Sequence, residues 1–183
     1  MENLEIARVL EEYADLLDIS GGNFFQVRSY RDAARSLSDL SRPVTQILES
    51  EKELTNLPGI GKGMAEHIRE IVETGSFSRL ETIQEEFPRS LAQLVKIEGL
   101  GPKKVRKLYD ELGVSTLAKL EEALDAGSVQ KLPGFGKTSA EKIRRAVKEL
   151  TLRPSRFKLS DADQLIRPLL DHLRQVPLCA FHS

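Results

Sequence analysis

The sequence predicts an all-α chain, and three observations carry the prediction. Apolar residues recur at the i, i+3, i+4, i+7 spacing of one helix face. No stretch shows the period-2 alternation that marks half-buried strands. One glycine-bearing template occurs three times between helical segments.

The first helix is read over residues 4–17. Leu4, Ile6, Val9, Leu10, Tyr13, Leu16 and Leu17 share a face, with Glu5, Arg8, Glu11, Glu12 and Asp15 between them. The run Ser20-Gly21-Gly22-Asn23 ends it. A second apolar face follows at Phe24, Val27, Tyr30, Ala33, Ala34, Leu37 and Leu40 and closes near Arg42-Pro43, because the residue before a proline is pushed out of the α region. A third, short helix is expected over residues 43–50.

The repeats come next. Leu57-Pro58-Gly59-Ile60-Gly61-Lys62 leads to Ala65 and Ile68. Ile97-Glu98-Gly99-Leu100-Gly101-Pro102-Lys103-Lys104 leads to Val105 and Leu108. Leu132-Pro133-Gly134-Phe135-Gly136-Lys137 leads to Ala140 and Ile143. Each copy follows a short helical segment and precedes a longer one, so the reading is helix, glycine hairpin, helix, three times. The first glycine of each pair permits a tight reversal, and the second lets a ligand approach the backbone. The helix that opens there has unpaired N–H groups and the positive end of its macrodipole, which is the chemistry of an anion site. Contacts made by backbone amides select a phosphate and are blind to base sequence. A P-loop or a dinucleotide site would need Gly-x-x-x-x-Gly-Lys-[Ser/Thr], or Gly-x-Gly-x-x-Gly after a strand, and neither context is present.

Charge grades the hairpins. Residues 1–50 hold five Lys/Arg against nine Asp/Glu, residues 51–95 five against eight, residues 96–150 twelve against eight and residues 151–183 five against three. The net charge of −1 therefore hides an acidic first half and a basic second half, which points to a polyanion met mainly through the second and third repeats. The candidate phosphate-binding residues are Gly59, Gly61, Lys62, Gly99, Gly101, Lys103, Lys104, Gly134, Gly136, Lys137, Lys142 and Arg145. A single cysteine, Cys179, leaves no pair for a disulfide, and the three histidines His67, His172 and His182 are too scattered for a zinc site. No window approaches the ~20 apolar residues of a membrane span, and the acidic start is unlike a signal peptide, so a cytoplasmic protein is expected, nucleoid-associated if bacterial.

Three helix-hairpin-helix units preceded by Phe24-Phe25-Gln26-Val27-Arg28-Ser29-Tyr30-Arg31-Asp32-Ala33-Ala34 resemble the N-terminal part of family X DNA polymerases, particularly the bacterial kind. The resemblance implies a lyase-like helical domain with the first hairpin over residues 1–80, a fingers-like domain with the other two over 81–152, and a lead-in to the palm over 153–183. The palm of that family carries paired aspartates on two magnesium ions, and no such site is expected here. Asp161-Ala162-Asp163 reads as a helix N-cap and first turn. The Schiff-base lysine of the lyase members falls at His67, whose imidazole cannot form an imine. The lysines that line the family's 5′-phosphate pocket fall at Gln26, Gly63 and Arg79, of which only Arg79 is cationic; Tyr30 is retained, with His67 beside it. The resemblance also implies a monovalent cation, K+ or Na+, on backbone carbonyls of Leu57 and Ile60 and of Ile97 and Leu100. The function expected is sequence-independent binding of gapped, nicked or double-stranded DNA in repair. Residual lyase activity, a fragment of a polymerase, and a protein-interaction scaffold using the acidic helices of residues 1–90 stay open as alternatives.

Overall fold

A computed structural model describes residues 1–48 and 54–152 and shows helices and turns, with no strand among the described residues. Helix α1 (Asn3–Ile19) starts where the Glu5 carboxylate accepts the Glu2 N–H at 2.8 Å. It ends at a four-residue reversal in which Gly21 takes φ +85°. At Gly22 a Cβ would stand 2.5 Å from the Leu17 side chain, so only glycine fits there. Helix α2 (Phe24–Ser38) begins with the Asn23 side chain accepting from the Phe25 N–H at 2.8 Å. It folds back onto α1, and the two bury Ile6, Leu10, Leu16, Val27, Ala33, Ala34 and Leu37 between them and their neighbours. The helix expected over 43–50 is seen as α3 (Val44–Ile47). Asn3 pins it, accepting from the Val44 N–H at 2.7 Å and donating to the Arg42 carbonyl at 2.8 Å.

The remaining described helices are α4 (Lys62–Thr74), α5 (Ser78–Glu86), α6 (Leu91–Val95), α7 (Pro102–Leu112), α8 (Leu117–Asp125) and α9 (Lys137–Leu152), with a 3₁₀ turn at Val129–Lys131. Between α8 and the 3₁₀ turn the chain reverses at Gly127, which takes φ +68°. Residues 1–147 form one compact unit with a continuous core, and α1 lies at its centre, packed against α2, α4, α5, α6 and α7. Glu12 on α1 helps to fix that arrangement, accepting from the Gln84 amide at 3.0 Å and from Arg89 Nε at 2.7 Å. Arg31 bridges α2 to α1 through Asp15 at 3.1 Å and Asp18 at 3.0 Å. Even so, burial outweighs the Arg31 charge at Asp15 and raises its carboxyl above the usual aspartate value. Residues 148–183 form the second unit, of which the end of α9 is described. Asp161-Ala162-Asp163, the lead-in over 153–183, Cys179, His172 and His182 lie outside the described residues.

Candidate nucleic-acid interface

The three hairpins are the same turn. In each, the carbonyl of the leading apolar residue accepts from the N–H of the apolar residue between the glycines: Leu57 from Ile60 at 3.1 Å, Ile97 from Leu100 at 3.0 Å, Leu132 from Phe135 at 3.0 Å. The first glycines take φ of +77°, +89° and +91°, the left-handed conformation that the third position of a type II turn demands. Pro58 and Pro133 occupy the preceding position, where their fixed φ favours that turn. Ile60, Leu100 and Phe135 are 3 %, 2 % and 1 % exposed, so each turn is nailed to the core by its central side chain. Ala65, Val105 and Ala140 are buried on the helices that follow.

The second glycines, Gly61, Gly101 and Gly136, are exposed, and a Cβ added to any of them would meet nothing within 4 Å. Their carbonyls accept the first helical bonds, from Ala65, Val105 and Ala140 at 2.9, 3.0 and 3.0 Å. No side chain caps the start of α4 or α7. In α7 Pro102 carries no N–H and the Lys104 N–H bonds the Gly101 carbonyl at 2.9 Å, so of that first turn the Lys103 N–H is left for a ligand; the helix dipole stands behind each helix start.

Each hairpin is held differently. The first lies against α2: a Cβ on Gly59 would come within 3.3 Å of the Asp32 backbone, and Ser36 Oγ donates to the Pro58 carbonyl at 2.6 Å. The second and third are tied to each other. Lys104 Nζ donates to the Gly99 carbonyl at 3.0 Å, bonds Ser139 Oγ at 3.1 Å and stands 5.6 Å from the centre of the Phe135 ring. Lys107 Nζ donates to the Pro133 carbonyl at 2.8 Å. Of the basic candidates, Lys62, Lys103, Lys137, Lys142 and Arg145 are exposed, whereas Lys104 is partly buried in these internal bonds. Sequence reading missed that role because a Pro-Lys-Lys run gives no sign of which ammonium turns inward.

A second cluster forms on the first hairpin's helix. Tyr30 Oη and His67 Nδ1 share a hydrogen bond of 3.2 Å, and their rings stack at 5.8 Å with 16° between planes. Phe77, fully buried, backs both, and Tyr13 meets Tyr30 edge-on at 4.5 Å. Burial, then the neighbouring Tyr13 phenol, raises the Tyr30 phenol to about 12. Burial, then the Arg79 charge, lowers the His67 imidazole below its usual 6.5. Tyr30, His67 and Arg79, far apart in sequence, are thus brought together, with exposed Arg79 at the mouth of a neighbouring cleft of about 490 Å³. Glu70, whose carboxylate acts on His67 against the Arg79 charge, holds the start of α5, accepting the Ser78 N–H at 2.8 Å and its hydroxyl. The aromatic backing by Tyr13 and Phe77 was not foreseen from sequence.

Of the carbonyls expected to hold a monovalent cation, those of Leu57 and Ile97 each accept one turn bond, from Ile60 and Leu100. Among the described residues no group of three or more His, Cys, Asp or Glu is placed to hold a metal, and no helix is long and apolar enough to cross a membrane.

Comparison with known proteins agrees with this geometry. A helix-hairpin-helix domain model matches residues 1–77, and a SAM-like helix-hairpin-helix tandem model matches residues 51–112 and 91–149. The chain is 39 % identical over 175 residues to the DNA polymerase/3′-5′ exonuclease PolX of Bacillus subtilis, covering 96 % of this chain and 30 % of that protein. It is 41 % identical over 86 residues to DNA polymerase lambda of Arabidopsis thaliana, covering 46 % of this chain and 16 % of that protein. It is 30 % identical over 100 residues to the Holliday junction branch migration complex subunit RuvA of Acidovorax ebreus, covering 54 % of this chain and 52 % of that one. The chain spans less than a third of either polymerase. With three like turns in the fold and the tandem model covering more than half of its residues, the chain belongs to the SAM-like helix-hairpin-helix tandem family and is similar, through nearly all its length, to a region of the family X DNA polymerases.

Proposed function

We propose that this chain binds DNA without regard to base sequence, in repair or gap filling, by presenting the helix mouths at Gly61, Gly101 and Gly136 to backbone phosphates. The observation that carries the reading is the identity of the three turns: the same bond, the same left-handed first glycine and the same open second glycine. The names of the polymerase and RuvA relatives support it. Exposed Lys62, Lys103, Lys137, Lys142 and Arg145 flank the mouths and add salt-dependent attraction to phosphate.

The preferred DNA in this proposal is gapped or nicked, with a 5′-phosphate received at Tyr30, His67 and Arg79. Arg79 supplies the charge, Tyr30 an O–H donor, and His67 a neutral ring that orients Tyr30. None of the three is an amine, so no Schiff base forms there, and borohydride with abasic DNA is expected to trap no adduct. K+ or Na+ on the carbonyls of Leu57 and Ile60, and of Ile97 and Leu100, would supply a positive charge between hairpin and phosphate. Replacing K+ by choline at fixed ionic strength is then expected to weaken binding. The direct test compares gapped duplex bearing a 5′-phosphate with the same duplex lacking it. Tighter binding to the phosphorylated gap, abolished by Arg79→Ala, supports the pocket; equal binding to both refutes it.

A further inference from the structure

We propose that Lys104 is a positioning residue of the DNA grip, which locks the second and third hairpins into one two-seat clamp and does not itself contact phosphate. The inference rests on the DNA-binding reading of the hairpins given above. Lys104 and Ser139 are each the third residue after a capping glycine, Gly101 and Gly136, and so occupy equivalent places in two repeats. The bond between them, 3.1 Å long, joins the first turn of α7 to the first turn of α9. The same ammonium takes the Gly99 carbonyl at 3.0 Å, inside the second hairpin itself. It also stands 5.6 Å from the Phe135 ring at the centre of the third. Two of its three N–H donors are thus spent on one residue from each hairpin. Lys107 adds a parallel tie from α7 to the Pro133 carbonyl at 2.8 Å.

The first hairpin has no share in this lock. Its equivalent position is Met64, which cannot donate a hydrogen bond, and its turn is tied to α2 through Ser36 and Gly59. The three hairpins divide two and one. A fixed spacing between two seats makes occupation of the second an intramolecular event once the first is filled, so loosening the lock weakens a ligand that reaches both. It leaves the count of displaced counterions alone, because no cation is lost from the DNA contact.

The test measures duplex affinity over a range of salt for the full chain, Lys104→Met, Lys103→Met and Ser139→Ala, each checked for folding by circular dichroism. Lys104→Met is expected to weaken duplex binding on the order of tenfold, a modest part of the gain that linkage of two sites provides, with the slope of log K against log salt unchanged. Lys103→Met is expected to reduce that slope by about one. In a Gly136→Val background, where one seat is blocked, Lys104→Met should cost nothing further. Ser139→Ala, which removes one bond and no charge, should give a smaller loss that also vanishes in that background; it carries the test if Lys104→Met does not fold. A slope reduced by about one in Lys104→Met, wild-type affinity in both variants, or an undiminished loss in the Gly136→Val background would overturn the proposal. Failure of the unmodified chain to bind duplex at low salt would instead remove the DNA-binding reading beneath it.

Discussion

His67 shows how one side chain couples local burial to a measurable pH response. Its folded-state pKa lies below the 6.5 of a free chain, so the unfolded protein takes up that proton first as pH falls. Its contribution to stability is full above about 6.5 and declines as pH drops through the lowered folded value. A proton NMR titration of the imidazole, identified by its loss in His67→Asn, is expected to give a midpoint below 6.5. A midpoint at 6.5 would mean that the ring is wetter than its packing on Phe77 and Tyr30 implies, and one above it that the Glu66 and Glu70 carboxylates outweigh burial. The glycines offer a second residue-scale check. Gly59 and Gly134 both need positive φ, but only Gly59 lies against another helix. Gly134→Ala is expected to cost about 1 kcal/mol for backbone strain, and Gly59→Ala to cost more, up to about 3 kcal/mol, as α2 is pushed away. Equal losses in chemical denaturation would contradict that ranking.

At the scale of the hairpin, Gly136 separates folding from binding. Its Cβ position is open and Gly61 and Gly101, its counterparts, take ordinary extended φ of −87° and −86°. Gly136→Val is therefore expected to fold, losing within about 1 kcal/mol for the poorer cap. The side chain then stands where a phosphate must approach, so affinity should fall alike for all DNA sequences. A change in preference among sequences would show base contacts instead. The hairpins were legible in the sequence because their requirements are local: a glycine where φ is positive, an apolar residue to anchor the turn, a small residue where two helices meet. Tyr30, His67 and Arg79 could be grouped only through the resemblance to a family, since nothing in their spacing brings them together. The inward turn of Lys104 was not legible at all. It depends on Ser139 and Phe135, some thirty residues away, and on the distance between two turns that only packing sets.

On the scale of the whole molecule, α1 is the element that gives the hairpins a common frame, since it packs against α2 and α4 on the first hairpin's side and against α6 and α7 on the second's. Its helical period was readable from Leu4 to Leu17, while its partners were not, because an apolar face says only that something covers it. The acidic first half and basic second half are both present in the compact unit of residues 1–147, and the excess of Lys/Arg over Asp/Glu falls on residues 96–150, which carry the second and third hairpins. Long-range attraction of DNA should therefore act there first, with the first hairpin and Tyr30 engaging where the strand is interrupted. Fluorescence anisotropy of the chain on a 5′-phosphorylated gapped duplex and on intact duplex, each titrated at two salt concentrations, tests this account most directly. Binding to both that weakens steeply with salt, and tighter binding to the gap, is the expected result. No binding to either at low salt would contradict it and leave the three hairpins as scaffold.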